Sequence, residues 1–226
     1  MYGTTYGMMR QLTTRKLSRE AVADAALDLL VTDGREAVTM RRLAAALDVG
    51  TMTLYGYFRN KDELLDAAVD RASEAIRIPA RRGPWRSQLR ALIIEIYGTL
   101  RRYPVAVELR ARGPMLSPGA LRSTNAGMQI LAAAGFDKGS AAHAWRLLFT
   151  YAFGFAAFTP AELSVEDQRR ALAHLGALPP DELPYVVEAA PEAVAAMVGD
   201  EPFLRGLDVI LDGLEAAAGR SGERGI

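Results

Sequence analysis

Hydroxyl-bearing and cationic side chains are concentrated in one short segment, residues 39–61, which reads TMRRLAAALDVGTMTLYGYFRNK. Thr and Tyr hydroxyls, together with Lys and Arg, donate hydrogen bonds to the phosphate oxygens of nucleic acids. Arg can also donate to the edge of a guanine base. This segment could therefore recognise nucleic acid, provided that a rigid scaffold holds these side chains on a surface that fits a groove.

Two short helices separated by a tight turn must hold these side chains. We predict that Thr39 caps the first helix, because apolar residues follow it at helical spacing up to residue 47. Residues 48–50 form the turn, and residues 51–58 form the second helix. This arrangement is typical of a helix-turn-helix, which places its second helix in the DNA major groove.

The rest of the chain also shows helical periodicity, and no segment alternates with period two. We predict an all-α fold with an N-terminal three-helix helix-turn-helix domain at 18–78 and a larger helical domain at 84–219. Residues 1–17 are predicted to be a flexible basic arm, and Pro79 with Gly83-Pro84 marks the boundary between domains. The other predicted helices are 18–33, 60–78, 85–102, 104–111, 118–134, 137–159, 165–175, 185–198 and 201–218.

Composition restricts the class of protein further. The 226-residue chain has no Cys, which excludes disulfides and thiolate metal sites and suits a cytosolic protein. The sequence contains no run of 18 or more apolar residues, so no membrane span is predicted. The first fifteen residues also lack the apolar segment of a secretion signal. We therefore expect a cytoplasmic protein.

The net charge of zero conceals a polarised distribution. Residues 81–122 carry nine Lys and Arg against two acidic residues, whereas residues 159–226 carry five against thirteen. The Arg cluster could be a second nucleic-acid surface. Its members could instead lie at helix ends and pair with the acidic C-terminal third, which is the interpretation that we favour.

Three motifs make residues 18–66 resemble the DNA-binding domain of the tetracycline-repressor (TetR) family of bacterial transcription regulators. They are the helix-ending Asp33-Gly34, the Thr39-x-x-x-Leu43-Ala44 start of the second helix, and TLYGYFRNKDELL at 53–65. Two positions depart from the usual pattern, since Asp48 replaces a turn-forming Gly and Gly50 replaces a capping Ser. The resemblance implies a ligand-responsive repressor, released from a palindromic operator by a small, mostly hydrophobic effector.

The resemblance also implies which residues contact DNA. Hydroxyls of Thr39, Thr53 and Tyr57 and the ammonium of Lys61 suit phosphates, whereas Thr51 and Met52 lie where base edges are reached. Tyr55 and Tyr57 could alternatively be partly core aromatics, while Leu54 and Phe58 are expected in the core. The complete implied set is Thr39, Arg41, Thr51, Met52, Thr53, Tyr55, Tyr57 and Lys61.

The larger domain is expected to bind the effector and to form a homodimer. By resemblance, the helices at 85–102, 104–111, 118–134 and 137–159 enclose an apolar pocket, although any of its residues could instead be ordinary core. Apolar excess on 137–159 and 201–218 favours packing of these helices against a second copy. The expected pocket residues are Ile93, Ile96, Tyr97, Leu100, Leu109, Met115, Met128, Leu131, Phe149 and Phe153.

Other functions receive little support from the sequence. His143 and His174 are the only histidines, and neither has a partner at metal-ligand spacing, so we expect no metal and no cofactor. No catalytic motif is visible, so an enzyme is not expected. The alternative that stays open is a small-molecule-binding or protein-interaction module with a degenerate helix-turn-helix.

Overall fold

The computed structural model describes residues 17–110, 117–158 and 163–223, without the side chains of 109–110 and 219–223. Every regular element in these ranges is helical, which confirms the all-α prediction. None of the helices described is long and apolar enough to cross a membrane. Besides a 3₁₀ turn at Arg35–Ala37, the helices are α1 (Arg19–Asp33), α2 (Met40–Ala46), α3 (Thr51–Tyr55), α4 (Lys61–Glu74), α5 (Trp85–Arg102), α6 (Pro104–Arg110), α7 (Pro118–Ala133), α8 (Lys138–Phe158), α9 (Val165–Gly176), α10 (Pro184–Glu188), α11 (Ala190–Ala195) and α12 (Glu201–Glu223).

The described residues divide into two compact units. The first unit comprises residues up to Ile76 together with Val105–Arg122, and the second comprises Arg77–Pro104 and the residues from Ser123 onward. The first turn of α7 belongs to the first unit because it packs on the end of α4. Its Gly119 lies so close that an added Cβ would stand 2.7 Å from the backbone nitrogen of Glu74.

The first unit is built around the packing of α1 along α4. Apolar residues at helical spacing on both helices are fully buried there, including Val22 and Ala26 on α1 and Leu65 and Ala68 on α4. Side chains cap three helices of the unit, that of α2 as predicted, and each satisfies a backbone N–H that has no partner within its helix. The caps are Ser18, Thr39 and Asn60.

Three helix ends differ from the sequence-based prediction. The second helix of the helix-turn-helix ends at Tyr55 rather than 58, with Gly56 after it. Helix α4 ends at Glu74 rather than 78, and Ala75 is its C-cap. The segment 185–198 forms two short helices that meet at Ala189, and Pro191 stands in the first turn of the second.

The second unit packs α5, α8 and α12 against one another. Ion pairs reinforce the contact between α5 and α12: the Arg90 Nε lies 2.8 Å from a carboxylate oxygen of Asp208. Similarly, Arg86 lies 2.7 Å from Asp212 and 3.6 Å from Glu215. For these two arginines, the predicted pairing with the acidic C-terminal third is confirmed.

The Arg90–Asp208 pair predicts how stability responds to acid. The hydrogen bond from Arg90 lowers the pKa of Asp208 below its ordinary value. A carboxylate with a lowered folded-state pKa stabilises the fold above its unfolded pKa of about 4, and this stabilisation is lost as the pH falls through the folded pKa. We expect the melting-temperature difference between wild type and Asp208→Asn to be constant near neutral pH and to shrink below about pH 4.

Thermal unfolding followed by circular dichroism from neutral to acidic pH measures this difference. The control is Asp181→Asn, which alters an exposed carboxylate that has no ion pair among the described residues. A melting-temperature difference for Asp208→Asn that stays unchanged in acid would contradict the prediction.

Candidate nucleic-acid interface and effector-binding unit

The turn between α2 and α3 contains a residue whose backbone lies in the left-handed region. Asp48 has φ 53°, the one positive φ outside glycine in the described part of the chain. Asp adopts this backbone region more readily than most residues with a Cβ, so the turn forms without the usual Gly. Gly50 is the N-cap of α3 and supplies no side-chain hydrogen bond to it. The departure at Asp48 is therefore accommodated by the backbone, whereas the departure at Gly50 leaves α3 without a side-chain cap.

Helix α3 is held to the core by one side and leaves the other side free. Leu54 on α3 and Phe58 just beyond it are buried, as predicted. On the opposite side, Met52 is 80% exposed, Tyr55 is 46% exposed and Thr53 is also exposed. Thr51 is half-buried. The free face of α3 thus carries hydroxyl and apolar groups that can reach base edges in a groove.

The start of α2 adds a hydroxyl and a cation to this surface. The Thr39 Oγ1 accepts the N–H of Arg42 at 3.1 Å, so the hydroxyl proton stays available to donate to a phosphate. Arg41 is exposed and has no carboxylate partner among the described side chains, whereas Arg42 pairs with Asp33 at 2.7 Å. Of these two neighbouring arginines, Arg41 is the one available to bind DNA.

Tyr57 and Lys61 each donate to a backbone carbonyl within the unit. The Tyr57 phenol donates to the Leu17 oxygen at 3.0 Å, and the Lys61 Nζ donates to the Arg35 oxygen at 3.3 Å. Lys61 keeps two further N–H donors for a phosphate. The phenol has only one proton, so in this arrangement Tyr57 can accept a hydrogen bond but cannot donate one to DNA.

A charged network beside these residues was missed from the sequence. The Arg19 guanidinium lies 4.1 Å from the centroid of the Phe58 ring and 2.8 Å from the Glu63 carboxylate, and it also donates to the Tyr57 carbonyl. The other oxygen of Glu63 accepts the backbone N–H of Arg59 at 2.8 Å. This bond and the one from Arg19 lower the pKa of Glu63. No local pattern could reveal this network, because Arg19 and Glu63 are 44 residues apart.

The residues expected to line the effector pocket differ in their burial. Met128, Phe149 and Phe153 are half-buried, and the rings of the latter two lie 5.9 Å apart on α8. Met115 and the side chain of Leu109 lie outside the described part of the structure. Five expected residues are almost completely buried: Ile93, Ile96, Tyr97, Leu100 and Leu131.

An aromatic cluster at the centre of the second unit includes one expected pocket residue, Tyr97. Its ring stacks on Phe203 with centroids 3.7 Å apart, and Tyr151 stacks on Phe203 at 5.4 Å. Phe155 meets Phe203 edge-on at 5.5 Å. Burial, together with a 3.0 Å hydrogen bond donated to Asp200, raises the pKa of Tyr97 to about 12. The Tyr97 phenol is therefore neutral and serves as a donor.

Two further observations concern small-molecule and metal binding. A cleft of about 500 Å³ lies against α5 and shares no residue with the expected pocket. Within the described ranges, no three His, Asp or Glu side chains converge as a metal site. The cleft is lined by Arg77, Pro79, Ser87, Arg90, Ala91, Ile94 and Glu95.

Comparison with known families identifies both units. Residues 22–68 match the family described as bacterial regulatory proteins, tetR family, and residues 79–218 match the tetracyclin repressor-like C-terminal domain. The second match covers more than half of the chain. The first match lies within the first compact unit, whereas the second also includes Val105–Arg122, which belong to that first unit.

Individual relatives support the same assignment. The chain is 31% identical to the class C tetracycline repressor of Escherichia coli over 208 residues, 88% of this chain and 91% of that protein. It is 32% identical to an HTH-type transcriptional regulator of Saccharopolyspora erythraea over 139 residues, 61% of this chain and 59% of that regulator's length. It thus spans little more than half of the latter protein.

A solved structure extends the likeness to three dimensions. The TetR-family protein ActR of Streptomyces coelicolor, in complex with actinorhodin, matches with a TM-score of 0.78 and 26% identity. The match covers 91% of this chain and 100% of ActR. Regulators of this family are generally not enzymes. This chain therefore belongs to the tetracycline-repressor (TetR) family of bacterial regulatory proteins.

Proposed function

We propose that this protein is a homodimeric repressor that leaves a palindromic operator when a small, mostly hydrophobic effector binds its second unit. The free face of α3 carries this proposal, because Met52, Thr53 and Tyr55 are exposed beside the exposed cation Arg41. A single α3 reads only a few base pairs, so two copies at about one DNA turn are required. The protein acts in the cytoplasm, where bacterial DNA lies, and has no catalytic role.

Exposed apolar side chains on α8 and α12 support the homodimer. Leu147 and Phe158 on α8 are 51% and 90% exposed, and Val209 on α12 is 66% exposed. Gly154 and Gly213 lie on the same helices, and a Cβ at either would meet nothing within 4 Å. Small and apolar residues of this kind allow close approach of a second pair of helices, giving a four-helix bundle.

The contact between α4 and α7 supports a route from effector to DNA. Gly119 packs against the last turn of α4, and Arg122 donates to the Glu74 carbonyl at 3.4 Å. Helix α7 then continues to Ala133 and carries Met128 and Leu131, two of the expected pocket residues. An effector that shifts α7 therefore moves α4 and the helix-turn-helix with it, and such coupling is typically worth about 1–3 kcal/mol.

Two compounds that are bound in solved structures of similar proteins are the first effectors to test. ActR is solved with actinorhodin, and a TetR variant of Acinetobacter baumannii AYE is solved with minocycline. The expected pocket of this chain is apolar and aromatic, and such a lining favours a mostly hydrophobic ligand. We therefore expect one of these compounds, or a hydrophobic relative, to bind the second unit.

The experiment begins with selection of binding sites from random duplex DNA at near-physiological salt. We expect an enriched sequence with two inverted half-sites, bound by the dimer. Fluorescence anisotropy with this duplex then follows the titration with actinorhodin, minocycline and a panel of hydrophobic ligands. Release of the duplex supports the proposal.

Two outcomes would contradict the proposal. Selection that enriches no sequence would favour the rival module with a degenerate helix-turn-helix. Ligand binding, detected by calorimetry, that leaves the affinity for the duplex unchanged would refute the coupling between the two units.

A further inference from the structure

Helix α3 carries none of the side chains that distinguish bases by directed hydrogen bonds. Arg and Lys pair with guanine in this way, Asn and Gln pair with adenine, and Asp and Glu accept from cytosine. None of these six residue types occurs in residues 49–58, which read VGTMTLYGYF. Thymine differs from the other three bases by a 5-methyl group in the major groove, and an apolar side chain recognises that group without a hydrogen bond.

The hydroxyl groups on the free side of α3 do not supply a base preference. Thr53 and Tyr55 are both exposed there. A hydroxyl both donates and accepts hydrogen bonds, so it can pair with a donor or with an acceptor on a base edge. Thr accordingly contacts bases of either kind. A preference at the base pairs that face α3 must therefore come from an apolar contact.

Met52 is the side chain of α3 best placed to make an apolar contact. It is 80% exposed, more than any other large apolar side chain described in the first unit. It lies in the first turn of α3, and the N-terminal residues of a recognition helix are the ones that contact base edges. Leu54 is fully buried two residues later, which is about 200° around the helix, so Met52 points away from the core.

The surroundings of Met52 leave room for a base. Gly56 lies one helical turn further along the chain and has no side chain to cover the same face. The Met side chain is unbranched and has three rotatable bonds, so it adapts to the shape of the surface that it meets. The free face of α3 therefore presents one flexible apolar chain between hydroxyl groups.

We propose that α3 recognises each half-site through the 5-methyl groups of thymine and that Met52 is the residue that determines this preference. The proposal rests on the operator binding proposed above. Contact removes the Met52 side chain and the methyl group from water together, which is favourable because both are apolar. Arg41 belongs to α2, so its possible contact with guanine is separate from the contacts of α3.

Replacement of thymine by deoxyuridine in the selected operator tests the proposal. Deoxyuridine keeps the pairing with adenine and every hydrogen-bonding group of thymine, and it lacks only the 5-methyl group. Burial of one methyl group is worth roughly fourfold in a binding constant, so symmetric replacement in both half-sites should weaken binding on the order of tenfold. Anisotropy titrations with one symmetric pair of thymines replaced at a time measure this loss, and thymines that do not face α3 serve as internal controls.

Two variants assign the methyl contact to one residue. Met52→Ala should weaken binding to the thymine operator and abolish the loss caused by deoxyuridine, because the apolar partner is then absent. The matched control Thr53→Ser removes the other exposed methyl group of α3 and keeps its hydroxyl, so the deoxyuridine loss should remain. Met52 is 80% exposed, so its replacement empties no core site, and thermal unfolding verifies that both variants are folded.

The results separate this proposal from operator binding itself. If wild type selects no operator, the proposed function fails. If wild type binds a selected operator with unchanged affinity at every deoxyuridine position, recognition of methyl groups fails alone. A deoxyuridine loss that persists in Met52→Ala would come from DNA shape or from another residue, and it would overturn the role of Met52. Loss of the effect in Thr53→Ser but not in Met52→Ala would overturn that role as well.

Discussion

The double variant Arg41→Ala, Lys61→Ala should bind the selected operator about 100-fold more weakly than wild type, with a flatter salt dependence. Arg41 is exposed at the start of α2 and pairs with no described carboxylate, and Lys61 retains two donors beyond its bond to the Arg35 carbonyl. In a homodimer these two substitutions remove four cations from the DNA surface. The 100-fold loss corresponds to about 3 kcal/mol of binding free energy, which is a small total for four cations that contact DNA.

Anisotropy titrations at several salt concentrations measure this effect, and thermal unfolding verifies that the variant is folded. The control is Arg42→Ala, which removes one positive charge per protomer at the residue adjacent to Arg41. Arg42 is paired with Asp33 at 2.7 Å, so we expect less than a threefold change. If the double variant bound within threefold of wild type, Arg41 and Lys61 would not be DNA contacts.

Phe203→Ala should lower the free energy of unfolding of the second unit by about 3–5 kcal/mol, the usual cost of emptying a buried Phe site. Phe203 is fully buried between the rings of Tyr97 and Tyr151, with Phe155 at its edge. These three rings come from α5 and α8, while Phe203 lies in the first turn of α12. Removing it therefore leaves a cavity where the three main helices of the unit meet.

Denaturant unfolding at equal protein concentration measures this change, because the apparent stability of a dimer depends on concentration. Phe203→Leu fills most of the site and should cost about 1–2 kcal/mol. Tyr185→Ala is the control on α10, where the ring is 84% exposed, and its effect on stability should be small. A decrease below about 1 kcal/mol for Phe203→Ala would contradict the role of the cluster in packing.

The helices and their caps could be predicted because their signals are local. Ser18, Thr39 and Asn60 each bond a backbone N–H three residues ahead, so their effect depends on neighbours that are adjacent in the sequence. Leu54 and Phe58 were expected in the core for a similar reason, since they share one side of a short helix. Helices α3 and α4 end earlier than predicted, at Tyr55 and Glu74, and Gly56, a weak helix former, directly follows α3.

The location of the candidate DNA surface in the chain could be predicted, but the hydrogen bonds made by its residues could not. Residue types and spacing placed Arg41, Lys61 and the free face of α3 on a helix-turn-helix. They could not show that the phenol of Tyr57 is already bonded to Leu17, 40 residues away. That bond uses the one phenol proton of Tyr57, so in this arrangement Tyr57 cannot donate to a phosphate.

Local residue patterns predict a helical chain and a helix-turn-helix at residues 39–61, and they favour pairing of the basic cluster at 81–122 with the acidic C-terminal third. The packing of whole helices sets which distant residues meet: Arg19 with Glu63, Gly119 with the end of α4, and Phe203 with Tyr97 and Tyr151. The difference lies in sequence separation. Helix formation depends on residues three or four apart, whereas each of these contacts joins residues more than 40 positions apart and arises only when whole helices pack.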